Sequence, residues 1–133
     1  MNIAIPKHLF FTHCSKSKNP HYKETMELTT PDILYTSDRI KSFFDHVKTN
    51  SFDWAIFSDK YGFVFPETLI QWYDLSPDEI DKKEVEMLLD KSLSGLKKYD
   101  KIIYCPGAKP LHRTYKYLIK IMKSNGLDVV CNK

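Results

Sequence analysis

Three short polar segments hold most of the residue types able to do chemistry: His13-Cys14-Ser15-Lys16-Ser17-Lys18, Ser58-Asp59-Lys60-Tyr61-Gly62 and Cys105-Pro106-Gly107-Ala108-Lys109. In the first, Lys16 and Lys18 closely follow Cys14. Nearby cations favour a thiolate, so Cys14 reads as a candidate nucleophile or redox-active thiol. The competing reading is a small residue packed at a strand end, where free cysteine is commonly found. Ser15 and Ser17 offer hydroxyls and backbone N–H groups to an anion that Lys18 would neutralise, or they make an ordinary turn. In the second segment, Asp59 and Lys60 stand where a general acid or base would be useful, or form a solvated ion pair. Gly62 suits a turn that needs positive φ.

The chain then becomes aromatic through Tyr61, Phe63, Phe65, Trp72 and Tyr73. Such rings stack on a flat base or close over a ligand; they equally pack a long loop onto a sheet edge. Asp74 either accepts a hydrogen bond from a ligand or merely precedes a cap at Ser76. Lys109, Arg113, Lys116, Lys120 and Lys123 recur every three or four residues. That is a footprint for a phosphate backbone or the solvated face of a helix. His112 is a weaker candidate beside them. A metal site built from His13, Cys14, Cys105 and His112 lacks any C-x-x-C or H-x-x-x-H spacing, so no metal and no cofactor is expected. Without a phosphate-loop glycine pattern, a nucleoside triphosphatase is not indicated either.

The elements that position these segments alternate. His8 to Thr12, Asp53 to Phe57, Lys101 to Cys105 and Leu127 to Cys131 read as short strands. Ile40, Phe43, Phe44 and Val47 take the spacing of one buried helical face, after a cap at Thr36 or Ser37. Ser76-Pro77-Asp78-Glu79 looks like a capping box opening a second helix, with Val85, Leu88, Leu89, Leu93 and Leu96 inside and an end near Lys98. Leu111, Tyr115, Leu118, Ile119 and Met122 form the inner face of a third, stopped by Asn125-Gly126. The segment from His13 to Tyr35 reads as long, polar and broken by Pro20 and Pro31. The order β-α-β-α-β-α-β implies an α/β protein, a three-layer α/β/α sandwich on a mainly parallel sheet of about four strands. In such a sheet ligands bind beyond the carboxyl ends of the strands, where all three polar segments fall. Two of those connections run to roughly 20 residues where about 2–6 is usual, which favours ordered, functional loops.

With 133 residues, 42% hydrophobic and 28% charged, the chain fits one globular domain over residues 1–133 and not a disordered one. A formal charge of +3 is only mildly basic. Its three cysteines, Cys14, Cys105 and Cys131, do not suggest a disulfide framework. Met1 to Lys7 lacks a signal-peptide pattern, and no window approaches the apolar length of a membrane span; the expected location is cytoplasmic, with no membrane partner.

Taken together, Cys14-Ser15-x-x-Lys18, Leu34-Tyr35-Thr36-Ser37, Ser58-x-Lys60-Tyr61-Gly62 and Tyr73-Asp74-Leu75 resemble an uncharacterised family of small archaeal, bacterial and phage proteins. The likeness covers most of the chain from the first strand to Leu75 and continues weakly beyond Gly107. The cysteine-serine-x-x-lysine piece, followed by Asn19-Pro20, is also similar to the core domain of archaeosine synthase, which adds an amine to the nitrile of a deazaguanine in transfer RNA. This second resemblance is short. It implies a fold like that of uracil-DNA glycosylase, but the separate RNA-binding domain of that enzyme is missing and glycosylase motifs are not evident.

The expectation is therefore an enzyme acting on a nucleobase, nucleoside or nucleotide, a transferase or hydrolase with a cysteine nucleophile. Cys14, Lys18, Asp59 and Lys60 would be catalytic. His13, Ser15, Ser58, Tyr61, Gly62, Tyr73, Asp74 and Gly107 would bind substrate. Lys109, Arg113 and Lys116 would contact nucleic acid. The alternatives are a noncatalytic nucleotide- or nucleic-acid-binding module, and a subunit of a larger modification enzyme. The sequence leaves the oligomeric state open.

Overall fold

A computed structural model describes residues 6–132. Met1 to Ile5, most of the stretch read for a signal peptide, lie outside the described residues. The structure is α/β, with a mixed, mostly parallel five-stranded sheet. The strands are β1 (His8–His13), β2 (Asp53–Ser58), β3 (Gly62–Val64), β4 (Lys101–Tyr104) and β5 (Val129–Cys131), in the order β3-β2-β1-β4-β5. Four strands were expected; the fifth is β3, which turns straight back from β2 and pairs with it antiparallel, Phe57 opposite Phe63. The remaining pairings are parallel.

β1 is central and buried on both faces, and its side chains alternate accordingly. Leu9 and Phe11 join one apolar cluster with Ala55, Phe57, Ile102 and Tyr104, while Phe10 packs against a second that holds Trp54 and Ile56. Helix α3 (Asp38–Thr49) brings Ile40, Phe43, Phe44 and Val47 to the second cluster, the four positions its spacing marked. Its cap is Ser37, whose Oγ accepts from the Ile40 N–H. Helices α4 (Lys82–Asp90) and α6 (Arg113–Ser124) fill the first cluster with Val85, Leu88, Leu89, Tyr115, Leu118, Ile119 and Met122.

The capping box lies later than Ser76. Ser76 caps only a single 3-10 turn, Pro77–Glu79, after which Ile80 is extended and buried. Asp81 and Glu84 form the true box and open α4. The helix stops at Asp90, and a separate turn, α5 (Leu93–Leu96), completes the run once read as one helix to Lys98.

Pro20 and Pro31 start helices where they were read as breaks. They are the first residues of α1 (Pro20–Thr25) and α2 (Pro31–Leu34), a position where the missing N–H costs nothing. The two long connections are tied down as well. Asn19 N–H reaches Leu34 O at 2.8 Å, and Thr36 N–H reaches Ser17 O at 3.1 Å. Thr29 and Ile70 exchange a pair of backbone hydrogen bonds, 2.9 and 2.8 Å, that joins one loop to the other. This folding-back fixes the residues after β1 and β2 over the sheet's carboxyl edge.

Candidate functional site

From β1 the chain moves to β2 on one side and later to β4 on the other, so β1 and β4 flank the point where strand order reverses. Ligand crevices in open α/β sheets form beyond such points. A cleft of about 350 Å³ lies there. Its walls are His13 at the end of β1 with Cys14, Ser15, Lys16 and Lys18 after it, Arg39 of α3, Asp59 after β2, Asp74 to Pro77, Pro106, and the run from Lys109 to the start of α6.

At its floor is a chain of polar contacts. Asp59 is 2% exposed, and its Oδ1 accepts a 2.7 Å hydrogen bond from the Tyr115 hydroxyl. The Tyr115 oxygen is 3.9 Å from Cys14 Sγ. Tyr115 has one proton and it goes to Asp59, so the thiol is the donor across the longer contact. The path runs Cys14 S–H to Tyr115 O–H to the Asp59 carboxylate. Burial first, then the charge of Asp59, pushes the Cys14 thiol up to about 11. Burial likewise raises Asp59, against the opposing effect of its hydrogen bonds. The lysines expected to favour a thiolate do not prevail: Lys18 Nζ lies 4.4 Å from the centroid of the Tyr73 ring, and burial lowers its own pKa.

His13 is also held neutral. Burial, then the nearby charges of Arg39 and His112, lower it to about 3. Its Nδ1 is 2.6 Å from the Tyr104 hydroxyl, and its ring stacks on Tyr115 with centroids 4.3 Å apart. Behind the floor, Ser58 Oγ accepts from the Lys60 and Tyr61 N–H groups at 3.2 and 3.0 Å and donates to the Tyr73 hydroxyl at 2.8 Å. Tyr73 in turn is 2.8 Å from the Tyr35 hydroxyl.

Cys14, Lys18, Asp59, His13, Ser15, Asp74 and Lys109 thus line one cleft. The remaining candidates do not. Lys60 is exposed, its Nζ 5.4 Å from the Tyr61 ring centroid. Ser58 and Tyr73 are buried behind the floor. Tyr61 packs edge-on against Tyr73. Gly62, at φ +79°, sits against Leu88, and Gly107, at φ +88°, against the side chain of Arg39. Arg113 and Lys116 are exposed on α6, away from this cleft.

Thr12, Arg39 and Tyr115 are the polar groups that the sequence reading passed over. Arg39 donates to Thr12 Oγ1 (2.6 Å), His13 O (2.8 Å) and Cys14 O (3.1 Å), pinning the backbone on which Cys14 is carried. Thr12 Oγ1 donates on to Cys105 O at 2.6 Å, joining the ends of β1 and β4. His112 caps α6 by accepting the Thr114 N–H on Nδ1, so its Nε2 carries the proton donated to Asp78 Oδ1 at 2.7 Å. Among the described residues, no group of three His, Cys, Asp or Glu side chains is arranged to hold a metal ion.

A family model matches residues 9–128, from the second residue of β1 to the residue before β5. The chain belongs to DUF6884, a family of unknown function. The matched span contains every residue of the cleft, so the DUF6884 region and the candidate site coincide. No curated protein and no solved structure matches the chain. No helix among the described residues is long and apolar enough to cross a membrane.

Proposed function

We propose that this DUF6884 protein is an enzyme acting on a nucleobase, nucleoside or nucleotide, with Cys14 as its nucleophile. The observation that carries the reading is the line of contacts from Cys14 through Tyr115 to the buried carboxyl of Asp59, opening on a cleft of ligand size. A thiol at about 11 is unreactive at rest. Attack on an electrophilic carbon such as a nitrile draws its proton along the line. The sulfur–carbon bond forms, one carbon–nitrogen π bond breaks, the thiol proton passes to Tyr115 as the Tyr115 proton passes to Asp59, and Asp59 returns a proton to nitrogen. Lys18 supports the negative charge that develops on the way.

In this reading the chain shares its chemistry with the archaeosine synthase core. Its layers form a three-layer α/β/α sandwich of the uracil-DNA glycosylase kind, and the protein works in the cytoplasm. The test is turnover and intact-mass adduct formation with nitrile- and amide-bearing nucleobases. Cys14→Ala abolishes both; turnover by Cys14→Ala at the wild-type rate would overturn the mechanism.

A second reading rests on the exposed face of α6, where Arg113, Lys116, Lys120 and Lys123 stand. It makes the protein a nucleic-acid-binding module, with affinity that falls steeply with salt and ignores Cys14→Ser. Arg113→Glu with Lys116→Glu then weakens binding; unchanged binding would leave the face as solvated surface.

A further inference from the structure

The cleft does not end at Cys14. A second cavity of about 580 Å³ adjoins it, sharing the wall formed by residues His13 to Lys16, Arg39 and Lys109 and reaching the first turn of α3 at Ser37 and Asp38. Arg39 sits at the seam. Its guanidinium is partly buried, and among the described residues its hydrogen bonds go to uncharged oxygens, on Thr12, His13 and Cys14. Among the described residues no carboxylate lies within ion-pair distance of Arg39, Lys16 or Lys109. Three cations therefore face the second cavity against the one carboxylate of Asp38. Of the three only Arg39 is partly buried without a counter-charge, a cost that an entering anion relieves, while the exposed Lys16 and Lys109 add charge at the rim. Ser37 adds a hydroxyl whose oxygen accepts from the Ile40 N–H, leaving its proton to give, at the positive end of a 12-residue helix. Gly107 belongs to the same construction: a Cβ there would stand 2.7 Å from Arg39 Cδ, so glycine makes the room in which the arginine lies.

We propose that this second cavity seats the phosphate of a nucleoside monophosphate, so that the substrate is a nucleotide with its base directed towards Cys14 and Asp59. The assignment rests on the nucleobase reading of the first cleft. Lys16 and Lys109 supply mobile charge, and Arg39 supplies the fixed one. A phosphate monoester fits this set better than a neutral ribose would, because hydrogen bonds to charged groups exceed those between neutral partners.

Calorimetric titration with the common nucleoside 5′-monophosphates, the matching nucleosides and inorganic phosphate tests it. At least one monophosphate binds about tenfold or more tightly than its nucleoside, the scale of one charged hydrogen bond. In Lys16→Gln/Lys109→Gln, two exposed positions, that advantage shrinks to about threefold or less. Arg39→Lys, which keeps the charge but not the fork, loses part of it. Equal affinity for nucleoside and monophosphate would overturn the phosphate seat and leave the nucleobase reading standing. Binding of inorganic phosphate without any nucleoside or nucleotide would overturn the nucleobase reading, and the nucleotide assignment with it. Tighter binding of a short single-stranded oligonucleotide than of any monophosphate would overturn the mononucleotide in favour of a phosphodiester backbone. No binding by any of these probes would overturn the proposal outright.

Discussion

Alkylation of Cys14 by iodoacetamide, followed across pH by mass spectrometry, reads the state of the candidate nucleophile directly. The chain carries its own control, since Cys131 is exposed while Cys14 is 7% exposed. A rise from 9.0 to about 11 lowers the Cys14 thiolate population about 100-fold at any pH well below both values. Only the thiolate reacts, so at neutral pH the buried Cys14 labels much more slowly than the exposed Cys131; the greater nucleophilicity of a more basic thiolate offsets part of that factor, and burial slows the reaction further. Asp59→Asn removes the charge that is the second cause of the rise. The Cys14 midpoint then falls, although desolvation, the larger cause, keeps it above 9.0. Labelling of Cys14 as fast as Cys131, with a midpoint below 9.0, would refute the reasoning and mean that Lys16 and Lys18 outweigh burial.

His13 makes stability depend on pH. It binds its proton at about 3 when folded and near 6.5 when unfolded, so the unfolded state holds more protons in that window and stability falls as pH drops from 6.5 towards 3. Between pH 7 and 5 the loss is at most about 2 kcal/mol. Comparing urea unfolding of the wild type with His13→Gln isolates it, because the opposite contribution of raised Asp59 is common to both; an equal loss in the two would contradict a neutral His13. Gly62→Ala destabilises by about 2–5 kcal/mol, from positive φ plus a Cβ placed 3.0 Å from Leu88 O. Gly126→Ala meets nothing within 4 Å and costs only the backbone part, about 1–2 kcal/mol; similar costs for the two glycines would remove the packing argument. Asp81→Ala lowers stability by about 1 kcal/mol while Ser76→Ala costs less, since Asp81 holds the helix and Ser76 only a turn.

Much of the fold was legible because its signals are local. β1, β2 and β4 are apolar runs bounded by polar ones, and the buried face of α3 follows from spacing alone. β3 escaped because three residues, Gly62–Val64, are too few to show alternation, and they stand inside an aromatic stretch that reads as loop. The helix start was misplaced because two caps occur five residues apart, and only tertiary contacts choose between them. Thr114 Oγ1 donates to Pro77 O at 2.9 Å and His112 holds Asp78, so the first candidate is spent on binding α6. In the site, Cys14, Lys18 and Asp59 stood out by type and place. Arg39 did not, because a charged residue in the first turn of an amphipathic helix reads as solvated. Thr12 was taken as the end of a strand and Tyr115 as one more member of the apolar face of α6. The signal for Tyr115 was its hydroxyl: a tyrosine among leucines and isoleucines near a helix start needs a partner, and the carboxyl edge of the sheet lies close by.

Tyr115 and Tyr73 offer a further test, because each hydroxyl faces Cys14 but only one leads to Asp59. Every buried side-chain polar atom among the described residues has a hydrogen-bond partner, so deleting either hydroxyl strands another group and costs about 1–3 kcal/mol of stability. Stability therefore does not separate the two positions, but coupling does. In the wild type and in Tyr73→Phe, Asp59→Asn shifts the Cys14 alkylation midpoint through both the field of the carboxylate and the hydrogen-bonded line. In Tyr115→Phe the line through the tyrosine is cut while the field and the direct contact of Cys14 with Asp59 remain, so the same substitution shifts the midpoint less. The interaction in the Asp59–Tyr115 double-mutant cycle is then the contribution of the relay itself. An Asp59→Asn shift that is the same in Tyr115→Phe as in Tyr73→Phe would mean that Tyr115 does not couple Cys14 to Asp59, which removes the observation on which the relay rests. The two would then act on each other through their direct contact and the field of the carboxylate alone.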